Sequence, residues 1–280
     1  QIGIYKDAVW AIADVASLDT ICNANKLAYK PLQAIYAANL QAMTDITTIS
    51  DMSNLNDNNV QTCLGQDASG LGCYLYKTNG TAGLKSITNL GAQLGMVARR
   101  AVGESIAWVE ESNLSDGIEL ETPGFCNGQL ISALSINAIN ALEAKRHVFP
   151  IKYTGYAGTY FNASSMAISA SSDYANMENN RVMCKAQRLL YTAYVPKLYS
   201  PIKFNANGTL SDSAVAELES VGNTSLDPMV RDSEISAKSV TIDPAQNVLA
   251  TSSINIAVTI VINGVAKIFN IPIGFKPSIA

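Results

Sequence analysis

The run Ser233-Glu234-Ile235-Ser236-Ala237-Lys238-Ser239-Val240-Thr241-Ile242 alternates polar and apolar residues. Asp243-Pro244 breaks it, and Ile254-Asn255-Ile256-Ala257-Val258-Thr259-Ile260-Val261-Ile262 alternates again before Asn263-Gly264. Alternation of this kind gives a strand with one buried face. Asn-Gly between β-branched runs is a strong hairpin signal, because both turn positions accept positive φ. The expectation is therefore a strand over 233–242, then a long terminal hairpin in which Val265 to Phe275 runs back along Ile254 to Ile262. Two strands alone are marginal in water. Their open edges need a cover, and a neighbouring subunit is one way to supply it.

The 280 residues are 48% apolar and only 15% charged, with a net charge of −4. That is a globular composition with no electrostatic call for nucleic acid or an acidic membrane surface. No apolar run approaches the ~20 residues of a membrane span. The sequence opens without Met or a signal peptide, directly on strand-like Ile2-Gly3-Ile4-Tyr5, and reads as a piece with residues missing upstream. Cys22, Cys63, Cys73, Cys126 and Cys184 are odd in number and scattered, without C-x-x-C, so a reduced, intracellular chain is the simplest expectation. The five Asn-x-Ser/Thr sequons (Asn79, Asn113, Asn162, Asn207, Asn223) are read as chance in an Asn- and Ser-rich chain.

Going back to the start, strands are expected at 2–5, 32–37, 60–64 and 148–153. Helices are expected over 18–29 with Ser17 as N-cap, 84–102 and 129–146. Gly91 and Gly95 would let the second of these helices lie close on a sheet. Strands alternating with helices argue for an α/β sandwich with a mostly parallel sheet over residues 1–155. Residues 156–280 read as a second, α+β domain. In it a helix starts at Met177 or Glu178 and runs to Tyr194, Asn207-Gly208 turns, and a short helix Ala214–Val221 ends at Gly222 as a C′ glycine before the terminal hairpin.

Chemistry is sparse. Asn79-Gly80-Thr81-Ala82-Gly83-Leu84-Lys85-Ser86 suggests a phosphate loop, but two residues rather than four separate its glycines and Leu84 intervenes before the lysine. Gly65 to Gly70 follows a strand, where ligands of parallel sheets often sit; a connecting turn explains it as well. His147 is the only histidine, in basic company after Lys145-Arg146 and without a local nucleophile, so a capping or exposed role is expected. With one histidine and scattered cysteines, no zinc site is expected. Asp116, Glu119 and Glu121 form an acidic loop, which suits solvation or a charged contact with a basic neighbour better than acid–base work. Glu178, Asn179, Asn180 and Arg181 crowd one helix start. They either cap it locally or fix the junction of the two halves, with Arg181 able to reach a carboxylate. Arg231-Asp232 admits the same two readings. No catalytic residue, metal or cofactor is expected.

An extended pattern adds to this. Glu178-Asn179-Asn180-Arg181-Val182, Leu198 to Ile202, Asn207 to Asp212, Met229 to Ser236 and Val240 to Leu249 form one series. Ser105 to Glu110 and Gly158 to Asn162 join it. Over most of residues 30–280 the chain resembles the C-terminal part of contractile-tail sheath proteins, notably the sheath-like group of Bacteroidetes phages and phage-derived injection systems. The resemblance implies a structural, non-enzymatic subunit of a virion tail or tail-like particle assembled in the bacterial cytoplasm. It implies stacked rings of the same chain joined by strand exchange, with an inner tube and a baseplate as further partners. Residues expected to meet a neighbour are Ile254, Ile256, Val258, Ile260, Ile262, Val265, Ile268 and Ile271. Related sequences tend to carry a carboxylate soon after the Asn-Asn-Arg start; here Met183-Cys184-Lys185 stands there. The competing expectations are a nucleotide-binding or enzymatic α/β protein and a tail adaptor that does not contract.

Overall fold

The computed structural model describes residues 1–81, 87–272 and 274–275. The start of the helix expected from Leu84 lies outside them, as does the Ala82 to Ser86 part of the Gly-rich stretch.

Strands β1 (Ile2–Val9), β2 (Ala34–Asn39) and β3 (Val60–Thr62) form a parallel sheet in the order β1-β2-β3. Successive side chains of β2 point to opposite faces and enter different cores. Tyr36 and Ala38 join Val15 of helix α1 (Ile12–Leu27), with Phe125, Leu142 and Phe149. Ile35 and Ala37 join Leu90, Met96 and Val97 of a second helix, together with Phe161 and Met166. β2 is buried on both faces, so it reads as a continuous apolar run.

The α/β expectation thus holds as a mixed fold with a small parallel sheet; the other ladders are antiparallel. β4 (Gly65–Asp67) pairs with β5 (Pro123–Phe125), and β6 (Pro150–Ile151) with β7 (Tyr160–Phe161). The strand expected over 148–153 shrinks to β6. Helix α1 begins earlier than expected. Ser17 lies inside it, where its hydroxyl donates to the Ala13 carbonyl at 2.9 Å instead of capping.

Helix α2 (Gly70–Thr81) was not expected. Its opening glycine has φ +51°, and Glu119 accepts from the Leu71 N–H at 2.9 and 3.0 Å, so a distant carboxylate supplies the N-terminal partner. Helix α3 (Leu90–Arg99) covers the described part of the one expected at 84–102. Gly91 and Gly95 face open space. The glycine of close approach is Gly3 on β1, where a Cβ would stand 2.4 Å from Leu94. The helix expected over 129–146 divides into a short 3-10 turn, Ile131–Ala133, and helix α4 (Ile136–Ala144), because Ser135 accepts from the Ala138 N–H and starts the helix afresh.

In the second half helix α5 (Met177–Tyr194) has the expected bounds. Helix α6 (Asp212–Arg231) is far longer than expected and carries Gly222 in its middle. The missing side chain there admits the Tyr194 hydroxyl, 2.5 Å from an added Cβ, and Val240 at 2.8 Å, so this glycine serves packing rather than termination. The terminal sheet pairs β8 (Ile235–Thr241) with β9 (Ala257–Ile262) in antiparallel register, with the short helix α7 (Val248–Thr251) between them. Residues 263–272 carry no strand.

Candidate functional site

The terminal sheet is held on one face only. Ile235 and Val240 of β8, with Val258, Ile260 and Ile262 of β9, pack on Val182, Ala186, Leu226 and Met229 of α5 and α6. The register slips between Ile235 and Ala237, leaving Ser236 as an extra residue on β8. That bulge lets Ile235 face inward opposite Ile262 while Val240 faces inward opposite Val258. Among the described residues no further strand pairs with β8 or β9. Their outer backbone groups form two edges of the kind that accept another strand.

Asn263 is not the corner of a hairpin. Its amide donates to the Ser233 carbonyl at 2.6 Å and its oxygen accepts from the Ser236 hydroxyl at 2.8 Å, tying the end of β9 to the start of β8. The chain then leaves the sheet. Val265, Ile268, Phe269 and Ile271 are 53, 77, 80 and 75% exposed. Lys267 reaches Glu143 of α4 at 3.2 Å. The eight residues expected to meet a neighbour therefore separate into two sets. Ile254, Ile256, Val258, Ile260 and Ile262 are half-buried against the second half's own cores, whereas Val265, Ile268 and Ile271 lie open.

The polar junction is built around α5. Among the described residues Arg181 pairs with no carboxylate; it donates to the carbonyls of Arg100 at 3.0 Å and Ala101 at 3.1 Å, covering the end of α3. Asn179 and Asn180 donate to the carbonyls of Asp173 and Tyr174, at 2.8 and 3.0 Å, and fix the entry to the helix. Glu178 is buried, accepts from the Ser164 hydroxyl, and its carboxyl is raised above the usual range by desolvation. Arg231 and Asp232 pair with each other at 3.1 Å in solvent and bridge no junction.

The residue that sequence reasoning missed is Glu234. Buried at 7% exposure, it receives Lys185 at 2.6 and 2.7 Å. Lys185 sits where a carboxylate was looked for, and its partner lies 49 residues away, beyond any local spacing signal. Gly103 packs directly on this strand start, since a Cβ there would lie 2.7 Å from the Glu234 carbonyl oxygen. Near the far end of α5, Gln187 donates to the Lys26 carbonyl at 3.3 Å and Tyr191 stacks on Tyr29 with centroids 4.4 Å apart. Helix α5 is thus bound at both ends to the first half.

His147 is neither capping nor exposed. It is fully buried, its Nε2 donates to the Ser50 carbonyl at 2.9 Å, and Nδ1 is left to accept from the Thr62 hydroxyl at 3.1 Å. Burial pushes its pKa down to about 4, so it is neutral and structural. Among the described residues no group of three or more His, Cys, Asp or Glu side chains is placed to hold a metal, and no helix is long and apolar enough to cross a membrane.

This mixed arrangement of helices and strands, with its small parallel sheet, is similar to the folds of chains from contractile-tail sheath and baseplate structures. A chain from the cryo-EM structure of the anti-feeding prophage baseplate superposes with a TM-score of 0.55 at 10% identity, over 96% of this chain and 75% of that one. A chain of the contracted sheath complex of the extracellular contractile injection system PVC gives 0.58 at 10% identity, over 94% and 68%. The sheath tail protein of Desulfitobacterium hafniense gives 0.53 at 11% identity, over 93% and 56%. No curated protein matches the sequence. The chain belongs to the DUF2586 family, whose N-terminal domain matches residues 4–165 and whose C-terminal domain matches residues 173–279.

Proposed function

We propose that this protein is a structural subunit of a contractile tail sheath, polymerising around an inner tube and contracting to drive that tube through a target envelope. One observation carries the reading. Among the described residues the terminal sheet has two strands and open edges, and an exposed apolar arm, residues 265–271, leaves it without pairing to any strand. Strand addition between copies answers both needs, since main-chain hydrogen bonds hold an added strand whatever its side chains. The fold shared with sheath proteins supports the same reading.

In it, residues 1–155 form the sheath core domain and 156–280 the domain that bears the arm. Copies stack as rings, the baseplate is the further partner, and the particle is a phage tail or a related injection device built in the bacterial cytoplasm. A second reading, a tail adaptor that forms small oligomers without contracting, draws on the likeness to a baseplate chain.

Proline within β9 tests the strand-addition step. Ala257 and Thr259 are exposed and outside the cores, and a proline at either removes a ladder donor. Ala257→Pro and Thr259→Pro are expected to leave the rest of the chain folded by circular dichroism and to abolish ordered assembly in electron micrographs. Normal assembly by both variants would overturn strand addition.

A further inference from the structure

Two carboxylates are buried where the parallel sheet begins. Asp19 of α1 is 6% exposed, and Asp57, in the loop that enters β3, is 9% exposed. Asp19 is well supplied with donors. Its Oδ1 accepts from the backbone N–H and the side-chain amide of Asn59, both at 2.9 Å, and its Oδ2 from the Asn23 amide at 2.6 Å. Asp57 stands two residues before Asn59, with its backbone N–H held by the Ala167 carbonyl at 2.9 Å. Its Oδ2 is fully enclosed and receives no donor among the described residues. Burial first, and then the Asp19 charge, push the Asp57 carboxyl up to about 6, and no basic side chain pulls it back. At neutral pH Asp57 is therefore a buried negative charge with neither counter-ion nor hydrogen bond on that oxygen. Such a charge is strongly unfavourable until something neutralises it.

The oxygens around it suit a hard cation. Carboxylate and amide oxygens each carry two lone pairs. Asp19 Oδ2 spends one on Asn23, and Asn23 Oδ1 spends one on the Asn59 amide at 2.9 Å, so each keeps one free. Asp57 adds its enclosed oxygen, which spends none. Oxygen donors without nitrogen or sulfur are the set that calcium takes, with waters completing about six to eight ligands. Asn23 is exposed, which gives an ion a way in from solvent. With two carboxylates and one amide, the charge count is low and sets the affinity at about 0.1–1 mM.

We propose that Asp57, Asp19 and Asn23 form a calcium site that pins helix α1 to the loop entering β3. The ion supplies the positive charge that this pair of buried carboxylates lacks, and it braces the first half on the side where α1 meets the sheet. The site is independent of the assembly reading, since it lies within one chain and involves neither the terminal sheet nor the arm.

Thermal melts of the full chain at pH 7.5 test it, with EDTA or with CaCl2. Calcium at about 10 mM is expected to raise Tm saturably by at least about 2 °C. Sodium chloride at equal ionic strength is expected not to reproduce that rise. Asp57→Asn keeps the side-chain shape, removes the charge, and is expected to abolish the calcium response. Asn23→Ala changes an exposed helix residue, so the chain still folds, and it is expected to need at least about tenfold more calcium for the same rise. This second variant carries the test if Asp57→Asn does not fold. No calcium response in the unaltered chain, a response that sodium chloride matches, or one that the folded variants leave unchanged would each overturn the site.

Discussion

The first-half cores and the terminal sheet solve the same problem in opposite ways. Around β2, apolar residues are closed off on both faces of the sheet: Tyr36, Phe125, Phe149 and Phe161 are at most 1% exposed, and Phe125 and Phe149 pack ring on ring at 5.3 Å. β8 and β9 cover one face with α5 and α6 and leave Ala237, Ser239, Ala257, Thr259 and Val261 in solvent. The core around β2 is closed, while its sheet ends in the edge strand β1, with Ile2, Tyr5 and Val9 exposed. The terminal sheet is covered on one face, and the arm that leaves it is exposed at Val265, Ile268, Phe269 and Ile271. In the proposed reading the closed core is the rigid part and the terminal sheet with its arm the part that assembles, and α5 is bound to both halves.

The sharpest way to break that contrast is to cut a side chain from each region. Phe149→Ala opens a cavity in a closed core and is expected to cost about 3–5 kcal/mol in chemical denaturation. Ile260→Ala removes a half-buried side chain and is expected to cost about 1–2 kcal/mol while weakening assembly more than folding. Equal costs would mean that the terminal sheet is as closed as the first-half cores.

The pH dependence of the first half tests its closure in a second way. His147 has a folded pKa of about 4 against an ordinary 6.5, so it favours folding only while neutral. Its contribution is complete above pH 6.5 and is lost as the pH falls towards about 4. The loss amounts to about 3 kcal/mol. Asp57, buried near Asp19 and pushed up to about 6, acts in the opposite sense: what it contributes is present at low pH and is lost as the pH rises through about 6. The His147 share is therefore read as the difference between the unaltered chain and His147→Gln, which is expected to narrow from pH 7 to pH 4. As the only histidine, its ring signals are unambiguous by NMR. A ring that titrates near 6.5 would place it in solvent.

The smallest effect concerns the junction. Gly103→Ala drives a methyl against the Glu234 backbone and is expected to cost about 1–3 kcal/mol. Gly95→Ala, with open space around it in mid-helix, is expected to stabilise by about 0.5–1 kcal/mol. Thermal melts of the two variants moving in the same direction would mean that Gly103 does not touch the second half.

Where local pattern and tertiary contact agree, the sequence was legible. Helix α5 has the polar cluster Glu178-Asn179-Asn180 at its start, an apolar stripe and Pro196 beyond its end, and its bounds follow from those features. The parallel sheet was legible as apolar runs between helices. The terminal sheet was legible as strands but not as pairs. Asn263-Gly264 is a strong local turn signal, yet the apolar faces of β8 and β9 match each other once Ser236 bulges, and Asn263 spends its hydrogen bonds on that pairing. Helix α2 was invisible because glycines open it and its N-terminal partner, Glu119, is supplied from 48 residues away. The Lys185–Glu234 pair, Gly222 beneath Tyr194 and buried His147 escaped for the same reason: each is defined by what lies opposite in space.

Negative-stain electron microscopy of the full chain, concentrated and without any tube protein, tests the central claim most directly. The account predicts hollow, striated tubes built from this chain alone. A field of monodisperse single particles at every concentration would contradict it.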